Sequence, residues 1–171
     1  MVKNPKNIIG VLLAISLFGI VIWLAQPSPT DQQANINANL APDTVGALVL
    51  EEKSFDFGSI SMAKGKVRHQ FQLKNLSSDP VVIERITTSC MCTLATFTRN
   101  GESMGPFGMP GHGAVPKINQ TLAANEEVVI DVAFDPAAHG PSGVGRIERI
   151  VFLENSVGNP LEIKISATVE P

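Results

Sequence analysis

Residues 66–74 read KVRHQFQLK. Val67, His69, Phe71 and Leu73 fall on one face of an extended chain, and Arg68, Gln70, Gln72 and Lys74 fall on the other. Strict alternation of this kind marks a strand with one buried face. The turn formers Asn75–Leu76–Ser77–Ser78–Asp79–Pro80 end it. The same period returns on both sides. Leu48 to Phe57 precedes it, and Val81 to Thr87 follows. Glu126 to Phe134 aligns Val128, Ile130, Val132 and Phe134, and Asp135–Pro136 closes it. Leu161 to Val169 aligns Leu161, Ile163, Ile165, Ala167 and Val169. Ile147 to Leu153 also reads as a strand, but its two faces are not separable by pattern. After residue 47 no stretch carries a helical period of 3.6. The expectation is an all-β domain over residues 48–171, an immunoglobulin-like β-sandwich of about seven strands. One segment breaks the rhythm: TRNGESMGPFGMPGHGAVPKINQT, Thr98 to Thr121, reads as a long irregular loop.

Composition bounds the function. The chain has 171 residues and a mass of 18.2 kDa, room for one ordinary domain or for one domain plus an anchor. Hydrophobic residues make up 44%, too many for a disordered chain. Thirteen Lys and Arg face 16 Asp and Glu, a net charge of −3; without Lys3 and Lys6 it is 11 against 16, or −5. An acidic domain has no electrostatic footprint for nucleic acid, so no nucleic-acid partner is expected. Two cysteines, Cys90 and Cys92, sit too close in sequence to link two sheets. The core must therefore rest on Val, Ile, Leu and Phe.

Ile8 to Ala25, IIGVLLAISLFGIVIWLA, holds no charge over 18 residues. As a helix it spans roughly 27 Å, close to the hydrocarbon thickness of a bilayer. A signal peptide has a shorter apolar run and small residues before its cut, whereas a cut after Ala25 puts Trp23 at −3. The pattern favours an uncleaved transmembrane anchor at residues 8–25 over a cleaved signal or a buried helix. Lys3 and Lys6 lie before the run, and the next basic residue is Lys53. By the positive-inside rule, residues 1–7 form a cytoplasmic tip and the remainder lies outside the plasma (inner) membrane. Residues 26–47, rich in Pro, Gln, Asn and Asp, read as a polar linker.

Phe55–Asp56–Phe57–Gly58, the Phe71-to-Asn75 strand end and Ser89–Cys90–Met91–Cys92–Thr93 together resemble the DUF1573 family. Thr121 to Pro136 is similar to that family's later segment, with Ala124–Asn125–Glu126 where Pro-Gly-Glu is usual. The resemblance covers roughly residues 48–170. It implies an Ig-like extracytoplasmic bacterial domain of unassigned molecular function. Two departures stand out: Met91 replaces the usual glycine, and the stretch from Thr93 to Thr121 is longer than the family core needs.

The sulfur-bearing residues are the candidate site. On an extended strand Cys90 and Cys92 would face one side with parallel Cβ vectors, so a bridge between them needs a turn. A bridge closed that way would be strained and easily reduced, which suits redox chemistry. Two converging thiolates also suit a soft metal. Met104, Met109 and His112 follow in the glycine-rich stretch. Thiolate, thioether and imidazole together are a Cu(I) ligand set, so copper is the expected cofactor if there is one. The nearest cations in sequence are Arg85 and Arg99, too distant along the chain to activate either thiol. The cysteines read equally as buried packing residues, and the methionines as plugs at the sandwich mouth. His69 is in phase with buried residues and reads as a core-edge residue; His139, between Ala138 and Gly140, reads as a turn residue.

The expected protein is therefore non-catalytic, with the membrane and another envelope protein as its partners. Three functions stay open. One is a Cu(I) module built on Cys90, Cys92, His112, Met109 and Met104. The second is an envelope interaction module with structural cysteines. The third is a thiol–disulfide redox protein.

Overall fold

The computed structural model describes residues 44–45, 47–113 and 115–171. The tip expected at 1–7, the anchor at 8–25 and most of the linker at 26–47 lie outside the described residues. Among the described residues no helix is long and apolar enough to cross a membrane.

The alternating runs are strands, and they form two sheets. In chain order the strands are β1 (Thr44–Val45), β2 (Leu48–Leu50), β3 (Ser54–Ser61), β4 (Val67–Asn75), β5 (Val81–Thr88) and β6 (Thr93–Arg99). Then come β7 (Glu102–Phe107), β8 (Gln120–Leu122), β9 (Glu127–Phe134), β10 (Gly145–Asn155) and β11 (Leu161–Glu170). One sheet has the order β1-β2-β4-β9-β6-β7 and the other β3-β11-β10-β5-β8. The inward rows meet in one core. Phe71 and Leu73 of β4, Val128, Ile130 and Val132 of β9 and the five inward residues of β11 are all buried in it. Each Val, Leu, Ile or Phe side chain among them contributes about 1.5–3 kcal/mol on leaving water.

Three features differ from the sequence reading. The strand count among the described residues is eleven rather than about seven. One of the extra strands comes from Leu48 to Phe57, which is two strands rather than one. Leu48, Val49 and Leu50 are all buried in β2 of the six-stranded sheet, whereas β3 pairs parallel with β11 in the other. Glu51–Glu52–Lys53, three charged residues in a row, carry the chain between the sheets. Further upstream, Thr44–Val45, at the end of the stretch read as linker, pairs with Val49 and Leu48.

The third difference lies in Thr98 to Thr121, half of which is regular. β6 and β7 form a hairpin in which Arg99 pairs with Glu102 across Asn100–Gly101. Both turn residues have positive φ, 51° and 86°. That is the geometry a two-residue hairpin turn requires, and Asn-Gly is its strongest sequence signal. A Cβ at Gly101 would meet nothing within 4 Å, so a substitution there is penalised by backbone conformation alone. Gly101→Val is expected to lower unfolding free energy by about 1–3 kcal/mol, and Gly101→Asn by much less, because Asn tolerates this region. Chemical denaturation of the two variants checks the order.

Two of the chain's passages between the sheets lie together at one end of the sandwich. β5 leads to β6, and β9 leads to β10. Thr93 pairs with Phe134, and Val151 with Thr88, so the two crossings lie side by side. The Ser89 amide donates to the Ile150 carbonyl at 2.9 Å, and the Asp135 amide donates to the Cys92 carbonyl at 2.8 Å.

Candidate functional site

Cys90 and Cys92 sit on the first of these crossings. The Thr93 amide donates to the Cys90 carbonyl at 3.1 Å, which closes a turn. The Thr88 hydroxyl lies 3.0 Å from the carbonyl oxygens of both Cys90 and Thr93 and holds the turn from inside. This is the turn that an extended strand lacks. It brings the two Cα atoms to 5.3 Å, and the two sulfurs are bonded to each other. The pair is not symmetric: Cys92 is 2% exposed, whereas Cys90 is half-buried. Met91 at the tip of the turn is 48% exposed.

A cation does stand beside the cysteines, contrary to expectation. Arg149 of β10 places Nε 3.2 Å from Cys92 Sγ. Its Nη1 donates to the Glu148 carbonyl at 2.7 Å, which fixes the direction of the guanidinium. Arg149 shares the inward phase of β10 with the buried Ile147, Val151 and Leu153. That is why the faces of this strand do not separate by pattern: a cation occupies an inward position. Arg85 and Arg99, the nearest in sequence, pair instead with Glu154 and Glu126.

The histidine at the cysteines is His139, not His112. His139 lies in a turn, as expected, after the end of β9, where the Ala138 amide donates to Asp135 and the Gly140 amide to Ala137. Its Nε2, however, lies 3.1 Å from Cys90 Sγ. The two sulfurs and one His139 ring nitrogen lie within 4.8 Å of one another. His112 is exposed in a separate turn, its amide donating to the Met109 carbonyl at 3.3 Å, and it is no member of that group. Met109 is half-buried in the segment after β7. That segment runs beside β5, where the Thr88 amide reaches the Gly108 carbonyl and the Ile118 amide the Glu84 carbonyl. Met104 belongs to β7, pairs with Phe97, and lines a surface hollow with Arg99 and Glu102. His69 is a core-edge residue as read: it stacks on Phe55 at 3.6 Å and its Nε2 lies 2.7 Å from Glu52 Oε2.

Each group has a definite chemical consequence. A guanidinium in contact with sulfur favours the thiolate over the thiol. An imidazole nitrogen on the other sulfur can accept its proton or bind a metal that replaces that proton. Oxidised, the site is a disulfide between a half-buried and a buried residue; reduced, it is a dithiol with an imidazole and a cation at hand.

Residues 48–106 match the model of the DUF1573 family, described as a protein of unknown function. The match takes in the cysteines and the strands from β2 through most of β7, and stops short of His139 and Arg149. No curated protein matches the chain. Among solved structures, a protein of unknown function from Porphyromonas gingivalis W83 is similar at 14% identity and a TM-score of 0.54. The similarity covers 71% of this chain and 46% of that one, so this chain spans about half of that relative's length. PapD-like domain 7 of human CEP192 aligns at 12% identity and a TM-score of 0.45, over 72% of this chain and 85% of the domain. The periplasmic chaperone SfaE aligns at 8% identity and a TM-score of 0.41, over 72% and 58%. At 14% identity the likeness to the Porphyromonas gingivalis protein is one of fold alone.

Proposed function

We propose that this chain, with its DUF1573 segment at residues 48–106, is a membrane-anchored, extracytoplasmic thiol–disulfide module that exchanges electrons with a dithiol on an envelope protein. The observation that carries this reading is the bonded Cys90–Cys92 pair with Arg149 Nε at 3.2 Å from Cys92 Sγ. Cys90, the less buried of the two residues, is the one a partner thiolate attacks. The Cys90–Cys92 bond breaks, and Cys92 Sγ leaves as a thiolate held by Arg149. The second partner thiol then displaces Cys90 from the mixed disulfide. Two electrons and two protons pass from the partner dithiol to the pair, which ends as a dithiol while the partner becomes a disulfide. The module acts as a stoichiometric carrier, and a disulfide on another protein restores it. In its dithiol state the pair, together with His139, also offers a soft-metal donor set. Anchoring by residues 8–25 would hold it at the outer face of the plasma membrane.

The asymmetry sets the test. In Cys92→Ser the remaining Cys90 is expected to form a mixed disulfide with oxidised glutathione, read by mass as one added glutathione. In Cys90→Ser the buried Cys92 is expected to stay unmodified under the same conditions. Equal labelling of the two variants, or a parent pair that stays oxidised in every dithiol buffer, would overturn the reading.

A further inference from the structure

We propose that the dithiol form of this site binds one Cu(I) through Cys90 Sγ, Cys92 Sγ and one ring nitrogen of His139. The proposal rests on the reading above only in requiring that the pair can be opened. The three donor atoms already lie within 4.8 Å of one another. Donors sharing one ion through bonds of about 2.0–2.3 Å stand roughly 3.5–4 Å apart, so little movement is needed. Reduction frees the two bonded sulfurs to separate to that spacing, and His139, exposed on a turn outside the core, adjusts to meet them.

Donor type and charge narrow the ion. Thiolate sulfur selects soft ions, Cu(I) foremost, and imidazole accepts the same ion. A closed Zn(II) site takes four protein ligands; among the described residues this group offers three His, Cys, Asp or Glu donors, so water would have to complete a zinc shell and charge is what separates the two ions. Two thiolates and Cu(I) carry a net charge of −1. Arg149, on Cys92 Sγ at 3.2 Å, neutralises it. With Zn(II) the same donors would be neutral and the guanidinium unmatched. Binding releases the two thiol protons to solvent, and copper keeps its oxidation state. When a disulfide on another protein takes two electrons from the pair and is itself reduced to a dithiol, both thiolates vanish into the Cys90–Cys92 bond and copper leaves as Cu(I), so the redox state of the pair controls loading.

The test uses the full 171-residue chain in detergent, opened with a phosphine that is then removed. Cu(I) is titrated anaerobically against a chromogenic chelator, and Zn(II) in parallel. The expected result is one Cu(I) per chain, lost on reoxidation to the disulfide. His139→Ala, a surface change that keeps the fold, is expected to weaken binding by more than the roughly 10–100-fold that an outer-shell partner contributes. His112→Ala is expected to match the parent. No stoichiometric Cu(I) on a reduced chain whose circular dichroism is native overturns the proposal. So does preference for Zn(II), or loss on His112→Ala with retention on His139→Ala. The exchange reading is scored without copper and survives any of these. Conversely, a pair that resisted biological dithiols would still be opened by the phosphine.

Discussion

Asn75→Asp is expected to lower the unfolding free energy by about 3–5 kcal/mol at neutral pH, the loss typical of an uncompensated buried charge. Asn75 ends β4 and is fully buried. Its Nδ2 donates toward three carbonyl oxygens, those of Asp79 at 2.8 Å, Leu122 at 3.2 Å and Ala123 at 3.1 Å. Its Oδ1 accepts from the Ser77 amide at 3.0 Å and the Ser77 hydroxyl at 2.7 Å. One side chain thus ties the turn after β4 to the end of β8 in the other sheet. An aspartate is the same size, but it turns the donating nitrogen into an anionic oxygen facing those carbonyls. Protonation of the introduced carboxyl restores one donor. Its folded-state pKa is therefore raised, and the stability that the protonated form retains is lost as pH rises through that value. The defect should be smaller at pH 4 than at pH 7. Asn75→Leu strands the same carbonyls without a charge and should lose about 2–4 kcal/mol at both pH values. Far-UV circular dichroism in guanidinium is the suitable probe, since the chain has no tyrosine and its one tryptophan, Trp23, precedes the domain. A loss below about 1 kcal/mol for the Asp variant would mean that these hydrogen bonds are replaced by water.

The elements legible in the sequence are those with one face buried and the other wet. β4, β9 and β11 alternate because their outward residues meet solvent, so period alone places both faces. β2 does not alternate, since Leu48, Val49 and Leu50 are buried together, and a pattern method fuses it to β3. The β6–β7 hairpin was signalled by Asn100–Gly101, but the surrounding glycines and prolines hide a local cue within a loop-like composition. The site divides in the same way. The cysteine pair is local, so it stands out at once. His139 and Arg149 lie 49 and 57 residues from their sulfurs. Only the side-by-side crossings of β5–β6 and β9–β10 bring them there, and no spacing rule encodes that. Arg149 did leave one trace, a cation in phase with Ile147, Val151 and Leu153. A charge on an inward row calls for a partner, and the partner here is a sulfur. His112 was the more conspicuous histidine because glycines flank it, but flexible flanks do not set direction, and its turn holds it apart from the sulfurs.

Arg149→Gln should make the Cys90–Cys92 disulfide harder to reduce. The guanidinium favours the reduced state. Against a neutral disulfide sulfur, the Nε contact at 3.2 Å is a weak hydrogen bond. Against the Cys92 thiolate it becomes charge-assisted, worth about 1.5–3 kcal/mol. Removing the charge therefore destabilises the reduced form and leaves the oxidised form nearly untouched. For a two-electron couple about 30 mV corresponds to 1.4 kcal/mol, so the midpoint should fall by roughly 30–60 mV. The offset should be largest at alkaline pH, where the reduced parent holds the thiolate, and should shrink in acid as both proteins carry neutral thiols. A loss of packing alone would shift the midpoint by the same amount at every pH. Arg85→Gln is the control, because Arg85 pairs with Glu154 rather than with sulfur, and it should leave the midpoint unchanged. Equilibration of the parent and both variants in dithiothreitol buffers across pH, with free thiols trapped and counted, separates these outcomes. An Arg149→Gln midpoint equal to that of the parent at alkaline pH would remove the guanidinium from the chemistry and leave Arg149 a structural cation.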